Sequence, residues 1–183
     1  MMTWLIKNRL AAFEKRWGYD VSYMRDLLAA DSKAFWAFAR VAKISDYRRD
    51  VPLEPWFAAK LVGAMHEDCG PCTQLVVGMA LAQRCTQTVI GNVIAGDDVA
   101  LPDDVRLAVQ FARAVLAHSA EADPLRETIV QRWGARGLVS LSLAITSARL
   151  YPTLKYALGH GRSCMRVTVG DRQIAPRRGM VAA

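Results

Sequence analysis

Phe57-Ala58-Ala59-Lys60-Leu61-Val62-Gly63-Ala64-Met65-His66-Glu67-Asp68-Cys69-Gly70-Pro71-Cys72-Thr73-Gln74-Leu75-Val76-Val77-Gly78-Met79-Ala80-Leu81-Ala82 is the stretch that decides the fold. Its two flanks are apolar and rich in small residues. The first predicts a helix over 54–67 anchored by Trp56, Leu61, Val62 and Met65, and the second a strongly apolar helix over 71–88. Asp68 to Pro71 interrupts the run between them. Two cysteines separated by two residues can close a disulfide where the chain turns, and Gly70 and Pro71 favour the turn. Proline suits the first turn of a helix because it has no amide hydrogen to lose. The amides of Cys72, Thr73 and Gln74 then lack helical acceptors, and with the positive end of the helix dipole they favour a thiolate. The thiolate is the reactive species, and the neighbouring thiol can resolve whatever it forms. Cys69 and Cys72 therefore read as a redox-active dithiol at a helix start.

Two plainer readings of the pair stand beside this one. The sulfurs can be buried core groups, or His66, Cys69 and Cys72 can be part of a zinc site, for which no second pair follows at a finger-like spacing. Cys85 is placed in the core, and Cys164, after Gly161, in a more open segment. No metal and no cofactor are expected.

Towards the N-terminus, Ile6, Leu10, Phe13 and Trp17 make one helical stripe that stops at Gly18. Such a helix is expected to dock on its own core or on a partner subunit rather than on a membrane. Asp20 can cap a second helix carrying Val21, Met24, Leu27 and Leu28, and Asp31 or Ser32 a third carrying Phe35, Trp36, Phe38 and Val41. Ser45 to Asp50 is polar, and Pro52 and Pro55 follow, so a boundary is placed near residue 50. Towards the C-terminus, Gly91 to Asp98 reads as a loop. Pro102-Asp103-Asp104 opens a helix with Val105, Val109, Ala112, Val115 and Leu116 on its buried side. Asp123-Pro124 starts another that ends near Gly134. Gly137 to Gly159 is long and apolar, and Pro152 is expected to kink or divide it. Only Met165, Val167 and Val169 alternate like a strand, with Gly170-Asp171 turning a hairpin toward Ile174.

Hydrophobic residues make up 52% of the 183-residue chain, which fits one globular domain with a real core. Four unevenly spaced cysteines do not make a secreted disulfide scaffold. Charge interrupts the N-terminus at Lys7 and Arg9 before a signal-peptide core forms, and no apolar run approaches the ~18 residues of a membrane span. A cytoplasmic protein without a membrane partner is expected. The formal charge is +7, and the end from His160 contributes Arg162, Arg166, Arg172, Arg177 and Arg178 against Asp171. No aromatic residues interleave with these arginines, so a solvated basic tail is expected rather than a nucleic-acid partner.

The residues Cys-Gly-Pro-Cys also occur in thioredoxins, but there they follow a strand in an α/β domain. Here the preceding segment reads as helix. The setting resembles the carboxymuconolactone decarboxylase superfamily in its AhpD-like alkylhydroperoxidase branch. The likeness lies in the apolar helix from Phe57 to Met65, the CxxC pair, and the small-residue-rich helix from Leu75 to Ala82. The later stretch from Leu138 to Gly159, ending Leu154-Lys155-Tyr156-Ala157-Leu158-Gly159, looks like the family's C-terminal helices. The likeness covers residues 50–160 and leaves 1–50 as an N-terminal helical extension and 161–183 as a basic tail.

The resemblance implies an all-α, AhpD-like helical bundle that forms homo-oligomers, as dimer, trimer or hexamer. It also implies that Cys72 attacks a hydroperoxide and Cys69 resolves the sulfenic acid, with a protein or small thiol as reductant. Two positions depart from the branch. Its histidine four residues after the second cysteine is Val76 here, and its glutamate twelve residues before the first is Phe57. Glu67, His66 and Glu54 are the candidates to replace that proton relay. The expected function is a thiol-disulfide oxidoreductase or alkylhydroperoxidase-like antioxidant protein. The alternative is a non-catalytic helical oligomer with a vestigial or redox-sensing pair.

Overall fold

Ile6 and Leu10 on the first predicted stripe bury against Leu28 and Phe35, so the first helix docks on the two that follow it. The computed structural model describes residues 2–161 and 166–176. Helices α1 (Met2–Trp17), α2 (Ser22–Ala30), α3 (Ser32–Ala39) and α4 (Val41–Ser45) form the N-terminal extension. Asp31 is the N-cap of α3 and accepts from the Lys33 amide at 2.8 Å, as expected, whereas the N-cap of α2 is Val21, and Asp20, one residue earlier, accepts from the Ser22 amide at 2.9 Å. The remainder comprises α5 (Leu53–His66), α6 (Gly70–Ala82), α7 (Gln87–Ala95), α8 (Asp103–Leu116) and α9 (Ala122–Ala157), followed by a hairpin of β1 (Val167–Val169) and β2 (Arg172–Ile174). The fold is all-α with a short C-terminal hairpin. Among the described residues no helix is long and apolar enough to cross a membrane.

Helix α5 is buried on every side from Pro55 to Ala64, as a helix apolar all round must be. It lies against α6, α7, α8 and α9. Gly63 lets α9 come close: a Cβ there would sit 2.9 Å from the Ile145 carbonyl oxygen and 3.2 Å from Ala148 Cβ. Leu61, Ile90, Ile94, Val109, Ile129 and Leu141 fill the space between these helices.

Three expectations are corrected. The helix expected over 71–88 runs instead from Gly70 to Ala82. It ends on Arg84 at φ 67, with the Arg84 amide on the Leu81 carbonyl (2.9 Å) and the Cys85 amide on the Ala80 carbonyl (3.0 Å). That is a Schellman ending built on arginine where glycine is the usual signal. The loop expected from Gly91 to Asp98 is mostly helix α7, which ends on Gly96. Pro152 does not divide the last helix: it lies inside α9, whose one residue with non-helical backbone angles is Gly134, at φ 70 and ψ 177. The helix end expected near Gly134 falls there, since those angles break the helix into two arms that meet at a kink.

The hairpin pairs Val167 with Ile174, Thr168 with Gln173 and Val169 with Arg172. Val167 and Val169 bury in the main core. The Gln74 side chain completes its edge, donating to the Thr168 carbonyl at 2.9 Å and accepting from the Thr168 amide at 2.7 Å. A hairpin too short to persist alone is held on α6 in this way. Met165, Cys164, Arg162, Arg177 and Arg178 lie outside the described residues.

Candidate dithiol site

The last turn of α5 closes on Asp68, at φ 50, whose amide bonds the Met65 carbonyl at 3.1 Å and whose carbonyl accepts from the Tyr156 hydroxyl at 3.1 Å. The chain then reverses directly into α6. Cys69 is the N-cap of that helix and Pro71 falls in its first turn. Cys69 and Cys72 are joined as a disulfide, with their Cα atoms 5.3 Å apart. The Cys72 amide points at Cys69 Sγ at 3.4 Å. The pattern of free amides differs from the expectation. Because α6 begins at Gly70, the Thr73 amide already bonds the Cys69 carbonyl at 2.9 Å, and the Thr73 hydroxyl donates to the same oxygen at 3.0 Å. Of the three amides named from the sequence, the Cys72 amide is the one on a sulfur, and it serves Cys69.

Both sulfur-bearing residues are buried, Cys69 at 1% and Cys72 at 4% exposure. Their cover comes from the N-terminal extension. Tyr19, Val21 and Tyr23 form one buried cluster with the two cysteines, with Leu10, Phe13, Trp17 and Phe38 packed around it. The aromatic rings meet edge to face: Phe13 with Tyr19 at 6.2 Å, Tyr19 with Tyr23 at 6.4 Å, Tyr23 with Phe38 at 6.5 Å, and Phe38 with Tyr151 of α9 at 5.3 Å. The Tyr19 hydroxyl lies 3.5 Å from Cys72 Sγ. Burial pushes the Tyr19 phenol up to about 12 and raises those of Tyr23 and Tyr151 as well, so all three stay protonated at neutral pH. Lys155, also buried, places Nζ 4.4 Å from the centre of the Tyr19 ring and 5.4 Å from that of Tyr23, and donates to the Asp20 carbonyl at 3.5 Å.

The candidate relay residues stand elsewhere. Glu67 accepts from Arg149 Nε at 2.5 Å and from the Thr153 hydroxyl at 3.4 Å, tying the end of α5 to α9. His66 is exposed in the last turn of α5. Glu54 sits at the other end of that helix and accepts from the Thr86 amide at 2.7 Å. Phe57 is buried beside Trp56, and Val76 packs against the main core. Cys85 is buried, and desolvation, with Glu54 nearby, pushes its thiol up to about 11. Among the described residues no three His, Cys, Asp or Glu side chains are grouped to hold a metal ion.

Sequence reasoning missed Tyr19, Tyr23, Tyr151 and Lys155. The sequence signal for two of them was a pair of tyrosines four residues apart, Tyr19 just after Gly18 and Tyr23 within the second apolar stripe. Comparison with protein-family models, with curated proteins and with solved structures found no match to this chain.

Proposed function

We propose that this protein is a thiol-disulfide oxidoreductase acting through Cys69 and Cys72. The observation that carries the reading is the pair's placement at disulfide-bonding distance on the N-terminal turn of α6, with the Cys72 amide on Cys69 Sγ. In the reduced protein one cysteine thiolate attacks a substrate disulfide. The substrate S–S bond breaks, a mixed disulfide forms, and the first substrate thiolate leaves and takes a proton. The second cysteine thiolate then attacks the mixed disulfide and releases the second substrate thiol. The dithiol loses two electrons and two protons, and the substrate gains them. A protein or small-thiol reductant restores the pair.

Hydroperoxide reduction by the same pair, as in the AhpD-like branch that the sequence resembles, is the narrower form of this reading. There Cys72 would take the peroxide oxygen to give an alcohol and a sulfenic acid, and Cys69 would condense with it to release water. Val76 and Phe57 supply no proton for the departing alkoxide, which favours disulfide exchange over peroxide reduction. A cytoplasmic homo-oligomer is part of the proposal.

The test is to mix reduced protein with glutathione disulfide and, separately, with cumene hydroperoxide. Conversion of Cys69 and Cys72 to a disulfide by the first, with release of two glutathione thiols, is the expected result; of Cys69→Ser and Cys72→Ser, the variant that keeps the attacking cysteine stops at a mixed disulfide with glutathione and the other reacts far more slowly. A pair that stays reduced with both would end the reading. The burial of both cysteines favours a second reading, a redox-sensing or vestigial pair in a helical oligomer. Oxidation once without repeated turnover in the presence of a thiol reductant would select it.

A further inference from the structure

We propose that the Tyr19 hydroxyl is the hydrogen-bond donor that stabilises the Cys72 thiolate when the pair is reduced, which makes Tyr19 a catalytic residue of the thiol chemistry. That role rests on the function proposed above; the contact does not. The hydroxyl oxygen and Cys72 Sγ are 3.5 Å apart and buried, though 53 positions separate them in sequence. A sulfur in a disulfide carries no proton, so in this state the hydroxyl donates. Its direction is held by the ring, which Phe13 and Tyr23 meet edge on and Lys155 covers with its ammonium. Burial keeps the phenol protonated, so it can donate a hydrogen bond to an anion without losing its proton.

The need for a donor follows from the surroundings. An apolar cluster disfavours a thiolate. The free amide at the start of α6 is directed at Cys69 Sγ, and the residue one turn after Cys72 is Val76, which has no proton to give. Cys72 is therefore served by a residue of the N-terminal extension. When an incoming thiolate attacks Cys69 Sγ, the bond between the two sulfurs breaks and its electron pair stays on Cys72 Sγ. The Tyr19 O–H then holds that anion, which makes Cys72 a better leaving group. The charged and titratable groups around Tyr19 are Asp20 and Tyr23 from the extension, Tyr151 and Lys155 from α9, and Cys72 itself from α6.

The test reads the two thiols separately in the full-length reduced protein, through the pH dependence of the Cβ carbon shift of isotope-labelled cysteine. Tyr19→Phe keeps the ring and removes the donor. It is expected to raise the Cys72 midpoint by about one pH unit, the worth of one hydrogen bond to a charged group, and to move Cys69 less. The same Cys72 midpoint in both proteins would overturn the inference. Should Tyr19→Phe fail to fold, 3-fluorotyrosine at position 19 keeps the hydroxyl and makes it a stronger donor. The Cys72 midpoint must then fall, and an unmoved one overturns the inference. A shifted midpoint in a protein that exchanges no disulfides supports the contact and ends the functional reading. An unshifted midpoint in an active protein ends this inference alone.

Discussion

Replacing Val21 by alanine tests how the sulfurs are covered. Val21 is buried in the cluster that contains Cys69 and Cys72. Its carbonyl accepts from the Met24 and Arg25 amides at 2.9 and 3.2 Å, and alanine preserves those bonds, so the change removes packing alone. Two buried methyl groups at about 0.8 kcal/mol each, with the cavity they leave, cost about 2 kcal/mol. The apolar side chains of α1–α3 gather in two small clusters separate from the main core, while α4 lies against α9, and such peripheral segments open at lower free energy than the core does. If residues 2–50 open as a unit, the whole cost falls on that opening, and the open population rises about 30-fold. The assay is reduction of the Cys69–Cys72 disulfide by a small phosphine in native buffer, with the new thiols alkylated and located by peptide mass. Where reclosing outpaces reduction, the rate follows the open population. Val21→Ala should then be reduced about 30-fold faster than the wild type, with a much smaller change in the melting of the helices around α5. Equal rates in the two proteins, both as fast as in an exposed disulfide peptide, would refute the idea that the extension shields the pair.

Ser140 is fully buried on α9 and accepts from the Arg49 amide at 2.8 Å. Ser140→Ala leaves that amide unpaired, at about 1–3 kcal/mol. The thermal midpoint by circular dichroism should fall by roughly 2–4 °C per kcal/mol, and an unmoved midpoint contradicts the link. Cys85, its thiol pushed up to about 11, should resist iodoacetamide in folded protein under mildly alkaline conditions; rapid labelling seen by peptide mass would contradict its burial. Lys60 is pulled down to about 8 by burial, so between that value and the free-lysine range the unfolded chain holds the extra proton. Its contribution to stability therefore rises with pH across that window. Urea melts of wild type and Lys60→Met should diverge there, and parallel pH profiles would count against the shift.

Much of the helical framework was legible because its signals are local. The stripe of Ile6, Leu10, Phe13 and Trp17, the Asp31 cap and the Pro102 start each depend on residues within a turn or two. The end of α6 was not legible, because Arg84 takes a left-handed conformation that glycine normally announces. Helix α7 was hidden by Gly91, where a Cβ would come 3.3 Å from Ile174 Cδ1 of the hairpin; its glycine reflects close packing rather than a turn. Pro152 does not divide α9, and the break in helical backbone angles falls at Gly134, where a helix end was legible. At the site, the cysteine pair and its helix start were written in four adjacent residues. Tyr19 and Lys155 were not, because Tyr19 meets Cys72 across 53 positions of sequence and Lys155 meets the Tyr19 ring from α9. Glu67 and His66 are close to the pair in sequence, but the Glu67 carboxylate bonds Arg149 of α9 instead.

The claim at the centre is that Cys69 and Cys72 form a reversible two-electron couple. The most direct measurement is an equilibrium titration of the full-length protein in graded mixtures of reduced and oxidised dithiothreitol, quenched with acid and mapped by peptide mass. Cys69 and Cys72 should convert together in one two-electron transition, identical from the reduced and the oxidised side, with Cys85 a thiol throughout. A pair that stays in one state across the whole series, or oxidation that joins either cysteine to another partner, would contradict it.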